Sequence, residues 1–121
     1  MRQLNRITLI GFVAHEPVSD VTPGGTEVFR IVVAVTDYAL RIGRDVAPEF
    51  YRVLYFGAGA REARAIIRKG SYVYVEGAGH HSKYKSSDGV ERFSFEVHAS
   101  LLLRYSSVRD ADATSGSDEA A

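Results

Sequence analysis

Phe50, Arg52 and Phe56 recur at even spacing within the run Pro48-Glu49-Phe50-Tyr51-Arg52-Val53-Leu54-Tyr55-Phe56-Gly57. Side chains of an extended strand alternate between two faces, so these three share one side with Leu54, while Tyr51, Val53 and Tyr55 share the other. A guanidinium set among phenylalanine rings suits a polyanion that carries flat bases: the cation pairs with phosphate and the rings stack. The competing explanation is burial, because aromatic strands usually line cores and a lone arginine often only snorkels to the rim. Taken alone, the segment favours burial. A strand with one solvated side would show polar residues at every second position, so each face here meets either a core or a partner.

Other chemically suggestive groupings are weaker. His80-His81 with Glu76 or His98 resembles a metal-ligand set, but adjacent strand residues point to opposite faces, so neither a metal site nor a cofactor is expected. Gly57-Ala58-Gly59 lacks the third glycine and the downstream acid of a dinucleotide fingerprint. The carboxylates are scattered over loops and tail, and no Ser, His and Asp combination has catalytic spacing; the chain reads as a non-enzyme.

The elements that must position the aromatic run follow from periodicity. The chain has 121 residues, the size of one domain. Ile7, Leu9, Gly11 and Val13 alternate with Arg6, Thr8, Ile10 and Phe12, which predicts a first strand over about Leu4 to Ala14. Thr22-Pro23-Gly24-Gly25-Thr26 is a turn, and Glu27 to Thr36 forms a second, β-branched strand that is buried for most of its length. Asp37 to Ala47 is a loop carrying Arg41 and Arg44 against Asp37 and Asp45. The aromatic run is strand three. Arg61 to Lys69 is the one expected helix, closed by Gly70. A fourth strand places Tyr72, Tyr74 and Glu76 opposite Val73 and Val75. It continues into a long hairpin whose tip is Asp88-Gly89, and the return strand runs from Arg92 to Arg104 with Phe93, Phe95, Val97, Ala99, Leu101 and Leu103 alternating.

Basic and acidic residues number fifteen each, yet they are segregated. Residues 1–105 hold fourteen Lys and Arg against eleven Asp and Glu, a formal +3, whereas residues 106–121 hold Arg109 against Asp110, Asp112, Asp118 and Glu119. The body is mildly basic, and 106–121 reads as a short flexible acidic tail. There is no cysteine, which removes disulfide and thiolate chemistry. The apolar stretch Ile7 to Ala14 is too short for a signal or membrane segment, so a soluble, intracellular protein is expected.

Five strands with the helix between the third and fourth make an all-β chain: a five-stranded OB-fold barrel with one short helix and a long hairpin between strands four and five. Four stretches resemble the bacterial-type single-stranded DNA-binding protein family. These are Asn5-Arg6-Ile7-Thr8-Leu9-Ile10-Gly11, Glu49 to Gly57, Arg68-Lys69-Gly70-Ser71-Tyr72-Val73-Tyr74-Val75-Glu76-Gly77, and the hairpin with Tyr84, Asp88-Gly89 and Arg92-Phe93. The likeness spans about residues 4 to 105, and it implies an OB-fold single-stranded DNA-binding domain over 1–105.

The resemblance implies base stacking on Phe50, Phe56 and Tyr84, with Tyr38 near a further aromatic position, and phosphate contacts from Arg52, Lys83 and Lys85. Lys69 and Arg41 complete the basic set. It also implies a homotetramer with Tyr72, Tyr74 and Tyr51 at subunit contacts, no membrane partner, and a cytoplasmic location with the nucleoid. The family's tryptophans are replaced by Phe50 and Tyr84, and Ala58 stands where a lysine often follows Phe-Gly. The segment ends Ser117-Asp118-Glu119-Ala120-Ala121, without the acidic Pro-Phe tip the family uses to recruit repair enzymes, so recruitment by that route is not expected. Two alternatives stay open beside sequence-tolerant DNA binding: an accessory primosomal-type OB-fold protein that binds DNA weakly and mainly bridges other proteins, and a barrel for a small ligand.

Overall fold

Alternation in Ile7-Thr8-Leu9-Ile10-Gly11-Phe12-Val13 becomes strand β1 (Ile7–Val13), with Leu9, Gly11 and Val13 buried and Ile10 and Phe12 outward. The computed structural model describes residues 1–36 and 46–105. After β1 come β2 (Val18–Val21), β3 (Glu27–Val35), β4 (Glu49–Phe56), helix α1 (Ala58–Ile66), β5 (Tyr72–Lys85) and β6 (Glu91–Arg104). The sheet order is β1-β5-β6-β4-β3-β2, and β1 also pairs with β3. That last pairing closes β1, β5, β6, β4 and β3 into a ring. The all-β, five-stranded OB-fold barrel with its helix between the third and fourth ring strands is therefore the observed architecture, and β2 is an additional edge strand laid against β3.

Closure depends on a missing side chain. β1 follows β5 as far as Phe12, opposite Tyr72, and just past Gly11 it also begins to pair with β3, through Phe12 with Ala34 and Val13 with Val33. A Cβ at Gly11 would run into the carbonyl oxygen of Ala34 and lie 3.0 Å from Val33 Cγ1. Only glycine allows the two backbones to approach so closely. Inside the ring, Leu9, Phe29, Ile31, Val33, Val53, Val73, Val75, Val97 and Leu102 form the core, and α1 adds Ala60 and Ala63, with Ile67 just beyond its end. Ala60 and Ala63 are spaced so that they share one helical face.

Three boundaries differ from the sequence expectation, each for a local reason. The helix begins at Ala58 and ends at Ile66, because Ile67 is already extended (φ −99°, ψ 128°); Arg68 and Lys69 belong to the turn into β5, where the Gly70 amide donates to Val13 O at 2.8 Å. In β6 the regular alternation through Leu101 and Leu103 is interrupted. Glu76 pairs with Leu101 but Gly77 pairs with Ala99, so Ser100 is an extra residue, a β-bulge. The bulge moves Leu102 inward and turns Leu101 and Leu103 outward. Finally, β5 and β6 run 14 residues each, well past the ends of their neighbours, so that positions 80–85 and 91–95 form a two-stranded arm. Asn5 secures its root: its side-chain amide donates to Gly79 O at 2.8 Å and accepts from Gly79 N at 2.9 Å, continuing the ladder with a side chain in place of a peptide.

Candidate nucleic-acid interface

β4 lies in the ring with β3 on one side, antiparallel, and β6 on the other, parallel. Its inner residues Tyr51, Val53 and Tyr55 pair with Val33, Ile31 and Phe29 and pack on the core. Its outer residues meet a different surface. Phe50 is 60% exposed and Phe56 39%, Arg52 is exposed, and Leu54 between them is buried at 7%. Two large rings and a guanidinium thus stand over an apolar floor on a strand whose reverse side already supplies the core. Burial cannot account for this face.

Register extends the surface sideways. Arg52 lies beside Val32 on β3 and Glu96 on β6, and Leu54 beside Arg30 and His98. The depression between these strands has a volume of about 300 Å³ and is lined by Val18, Arg30, Val32, Arg52, Leu54 and Glu96, among others. Arg30 is a cation that the sequence hides: it sits in a β-branched run, and only alternation against the buried Ile31 and Val33 marks it as outward. Its Nε is 3.5 Å from Asp20 Oδ2 on β2, a pair with both side chains well exposed and hence weakly held.

Along the arm the even-numbered residues of β5 continue the same face. His80 pairs with Glu96, Ser82 with Ser94, and Tyr84 with Arg92. Tyr84 is 49% exposed, and it therefore joins Phe50, Arg52 and Phe56 on one side of the sheet. Lys83 and Lys85 do not. They occupy the reverse side with Phe93 and Glu91; Lys83 Nζ lies 6.0 Å from the Phe93 ring centroid and 3.9 Å from Glu91 Oε2. A single strand touching both Tyr84 and these lysines has to pass around the edge of the arm. Lys69 is farther away, in the turn before β5, separated from Tyr84 by the length of a strand that spans roughly 45 Å at 3.3 Å per residue. Tyr38 and Arg41 lie outside the described residues, as do all of 106–121.

The tip of the arm is rigidly knitted. The Ser86 hydroxyl donates to Asp88 Oδ1, which also accepts from Val90 N at 3.1 Å, and Arg92 Nη2 stands 3.5 Å from Asp88 Oδ2. The Ser86 bond first, then the Val90 amide, with a smaller part from Arg92, holds the Asp88 carboxyl below its ordinary range.

Outside the β4 face, Tyr72 and Tyr74 point outward from β5 beside Phe12 and Ile10 of β1 and, for Tyr74, Leu103 of β6. Tyr72 contacts Phe12 (centroids 4.8 Å) and Tyr105 (5.2 Å). The Tyr74 hydroxyl donates to Glu76 Oε2 at 2.6 Å, and this bond raises its pKa above the ordinary phenol value. Tyr51 is not brought to this surface; it faces the core. His80 and His81 diverge as alternation requires, His80 toward His98 and His81 toward Phe95. Among the described residues no helix is long and apolar enough to cross a membrane.

Comparison with known proteins agrees with this geometry. The model of the "Single-strand binding protein family" matches residues 4–105. A protein from Xanthomonas axonopodis pv. citri (strain 306) named single-stranded DNA-binding protein is 35% identical over 105 residues, covering 84% of this chain and 57% of that relative. One of the same name from Xanthomonas campestris pv. campestris (strain ATCC 33913) is 34% identical over 105 residues, with 84% and 60% covered. Another from Xylella fastidiosa (strain Temecula1) is 32% identical over 102 residues, with 81% and 61% covered. The chain spans about three fifths of the length of these relatives.

Proposed function

Because the chain belongs to the single-strand binding protein family, we propose that it binds single-stranded DNA without sequence preference and protects it during replication, recombination or repair, as a non-enzymatic protein needing no cofactor. Bases stack on Phe50, Phe56 and Tyr84, and phosphates pair with Arg52 and Arg30, with Lys83 and Lys85 reached around the arm. Tyr38, Arg41 and Lys69 are supplementary contacts. The binding domain is 1–105, and the acidic segment 106–121 competes weakly with DNA for the basic face. The carrying observation is the outer face of β4, where two exposed phenylalanines flank a guanidinium on a strand whose other face is core. Stacking tolerates any base because every base has a π-face.

The same reading includes a homotetramer and a cytoplasmic, nucleoid-associated location. Support for assembly comes from the outer face of β1, β5 and β6, where Ile10 (44% exposed), Phe12 (46%) and Leu103 (48%) adjoin Tyr72 and Tyr74. A contiguous apolar surface of this kind fits a partner copy.

Titration with poly-dT at rising salt tests the DNA reading. Tight binding that weakens steeply is expected, with log affinity falling by about 0.7 per phosphate contact for each tenfold rise in salt. Weak binding with a shallow salt slope points instead to an accessory, protein-bridging role, and no binding at any salt rejects the reading.

A further inference from the structure

One part of the β4 face has structure that stacking on Phe50, Phe56 and Tyr84 does not use. Phe56 on β4 meets His98 on β6 edge to face, with ring centroids 5.3 Å apart and planes at 66°. His98 in turn meets His80 on β5, with centroids 4.3 Å apart and planes at 37°. Three rings thus run obliquely across three adjacent strands, since His98 is level with Leu54 and Ala78, two residues away from Phe56 on one side and from His80 on the other. Phe56 and His80 are exposed at the two ends, and His98 is half-buried between them. Its orientation is held from the side by Glu96, two residues back on the same face of β6: a carboxylate accepts, so His98 Nε2 donates to Glu96 Oε1 at 3.3 Å. The bulge at Ser100 preserves the row: β6 keeps its face up to His98 before the register shifts. Gly77, opposite the bulge, has no room for a Cβ, which would run into the carbonyl of His98 and lie 2.8 Å from Ala99 Cα.

We propose that His80 is a nucleobase-stacking residue and that His98 is the positioning residue that holds its ring in line with Phe56, so that a single strand crosses β4, β6 and β5 along this row. The inference rests on the DNA-binding reading above and extends it to two residues and a path. An aromatic imidazole offers a flat face to a base as the phenylalanine does, and a ring already stacked on a neighbour loses little further freedom when a base lands on it.

The experiment compares two oligonucleotides of equal length, oligo-dT and an abasic deoxyribose-phosphate chain, against the whole protein and its variants, with a thermal melt on each variant. His80→Ala is expected to weaken oligo-dT binding by roughly fivefold, the low end for one stacked base, and to leave the abasic chain unaffected. His80→Phe should bind oligo-dT as the parent does. His98→Ala should weaken oligo-dT by a similar factor without moving the abasic affinity, whereas His98→Phe, which keeps a supporting ring, should retain most of it. Equal losses on both oligonucleotides for His80→Ala would show a charge or folding effect and overturn the stacking role. Unchanged oligo-dT binding would overturn it too. If the parent protein binds neither oligonucleotide, the DNA-binding reading itself fails, an outcome distinct from either.

Discussion

Replacing Phe50 by alanine separates a binding role from a folding role, because the structure assigns the two very different magnitudes. A phenylalanine fully removed from water stabilises a fold by about 1.5 to 3 kcal/mol. Phe50 is 60% exposed, so two fifths of that, about 0.6 to 1.2 kcal/mol, is what folding stands to lose. Phe29, at 2% exposure in the core, sets the contrast: its truncation should cost about 3 to 5 kcal/mol, transfer and cavity together. In single-strand binders of this kind a stacked base contributes about 1 to 3 kcal/mol, which corresponds to a five- to 150-fold loss of affinity on removing its ring. Urea unfolding and fluorescence-anisotropy titration with oligo-dT, both at one fixed salt concentration, measure the two quantities on the same preparations. Phe50→Ala should lose DNA more than stability. Affinity within twofold of the parent, or a stability loss approaching that of Phe29→Ala, would refute the assignment of this ring to a partner.

Gly11→Ala should destabilise the barrel by about 1 to 3 kcal/mol through the clash with Ala34 O, lowering Tm by about 4 to 8 °C for each kcal/mol; an unchanged melt would mean the closure of β1 on β3 is looser than it looks. Asp88 has its folded-state pKa depressed, so its ionised form stabilises the arm's tip above the ordinary value of 3.8, and that contribution is lost as pH falls through the lower folded value. The Val90 amide resonance should therefore shift in acid in the parent and stay still in Asp88→Asn. Leu103→Glu, placed on the outward apolar face of β6, should lower the native mass measured by light scattering while leaving the fold intact, and a mass equal to the parent's would move the assembly surface elsewhere.

Much of this was legible in the residues, and the failures have physical causes. Alternation in β1 and β4 separates the two faces correctly because a single slip would exchange a whole face with solvent, whereas the β-branched run of β3 reads only as buried. The β4 aromatics were visible as an anomaly, two apolar faces where a half-buried strand needs one. The strand β2 was invisible: four residues after Pro17, all exposed, carry no alternation to detect. Leu101 and Leu103 continue the alternation of Val97 and Ala99 in the sequence yet face the other way, because a bulge leaves no trace in composition; Ser100 is an ordinary residue whose extra count shows only in the register. Lys83 and Lys85 looked like companions of Tyr84 by proximity in sequence, yet adjacency in a strand means opposite faces, the same rule that separates His80 from His81. Arg30 escaped notice, and His98 drew it only as a metal ligand, for the complementary reason: each is a single polar residue in an apolar run whose neighbours in space lie on other strands.

The two-stranded arm rooted at Asn5 has a mechanical consequence. Six residues at about 3.3 Å each carry Tyr84 roughly 20 Å beyond the ring, so a tilt of about 10° at the root displaces the tip by about 3.5 Å. A ribbon without a third strand resists such tilting weakly, and here the side-chain amide of Asn5 is what braces it. The arm can follow the uneven contour of a flexible polymer while the β4 rings stay fixed, and its engagement costs ordering entropy that the ring surface does not incur. Asn5, at the root and a whole arm's length from Tyr84, thereby governs how stiff the far end of the surface is. Removing its amide would show first in the rates of arrival and departure at Tyr84.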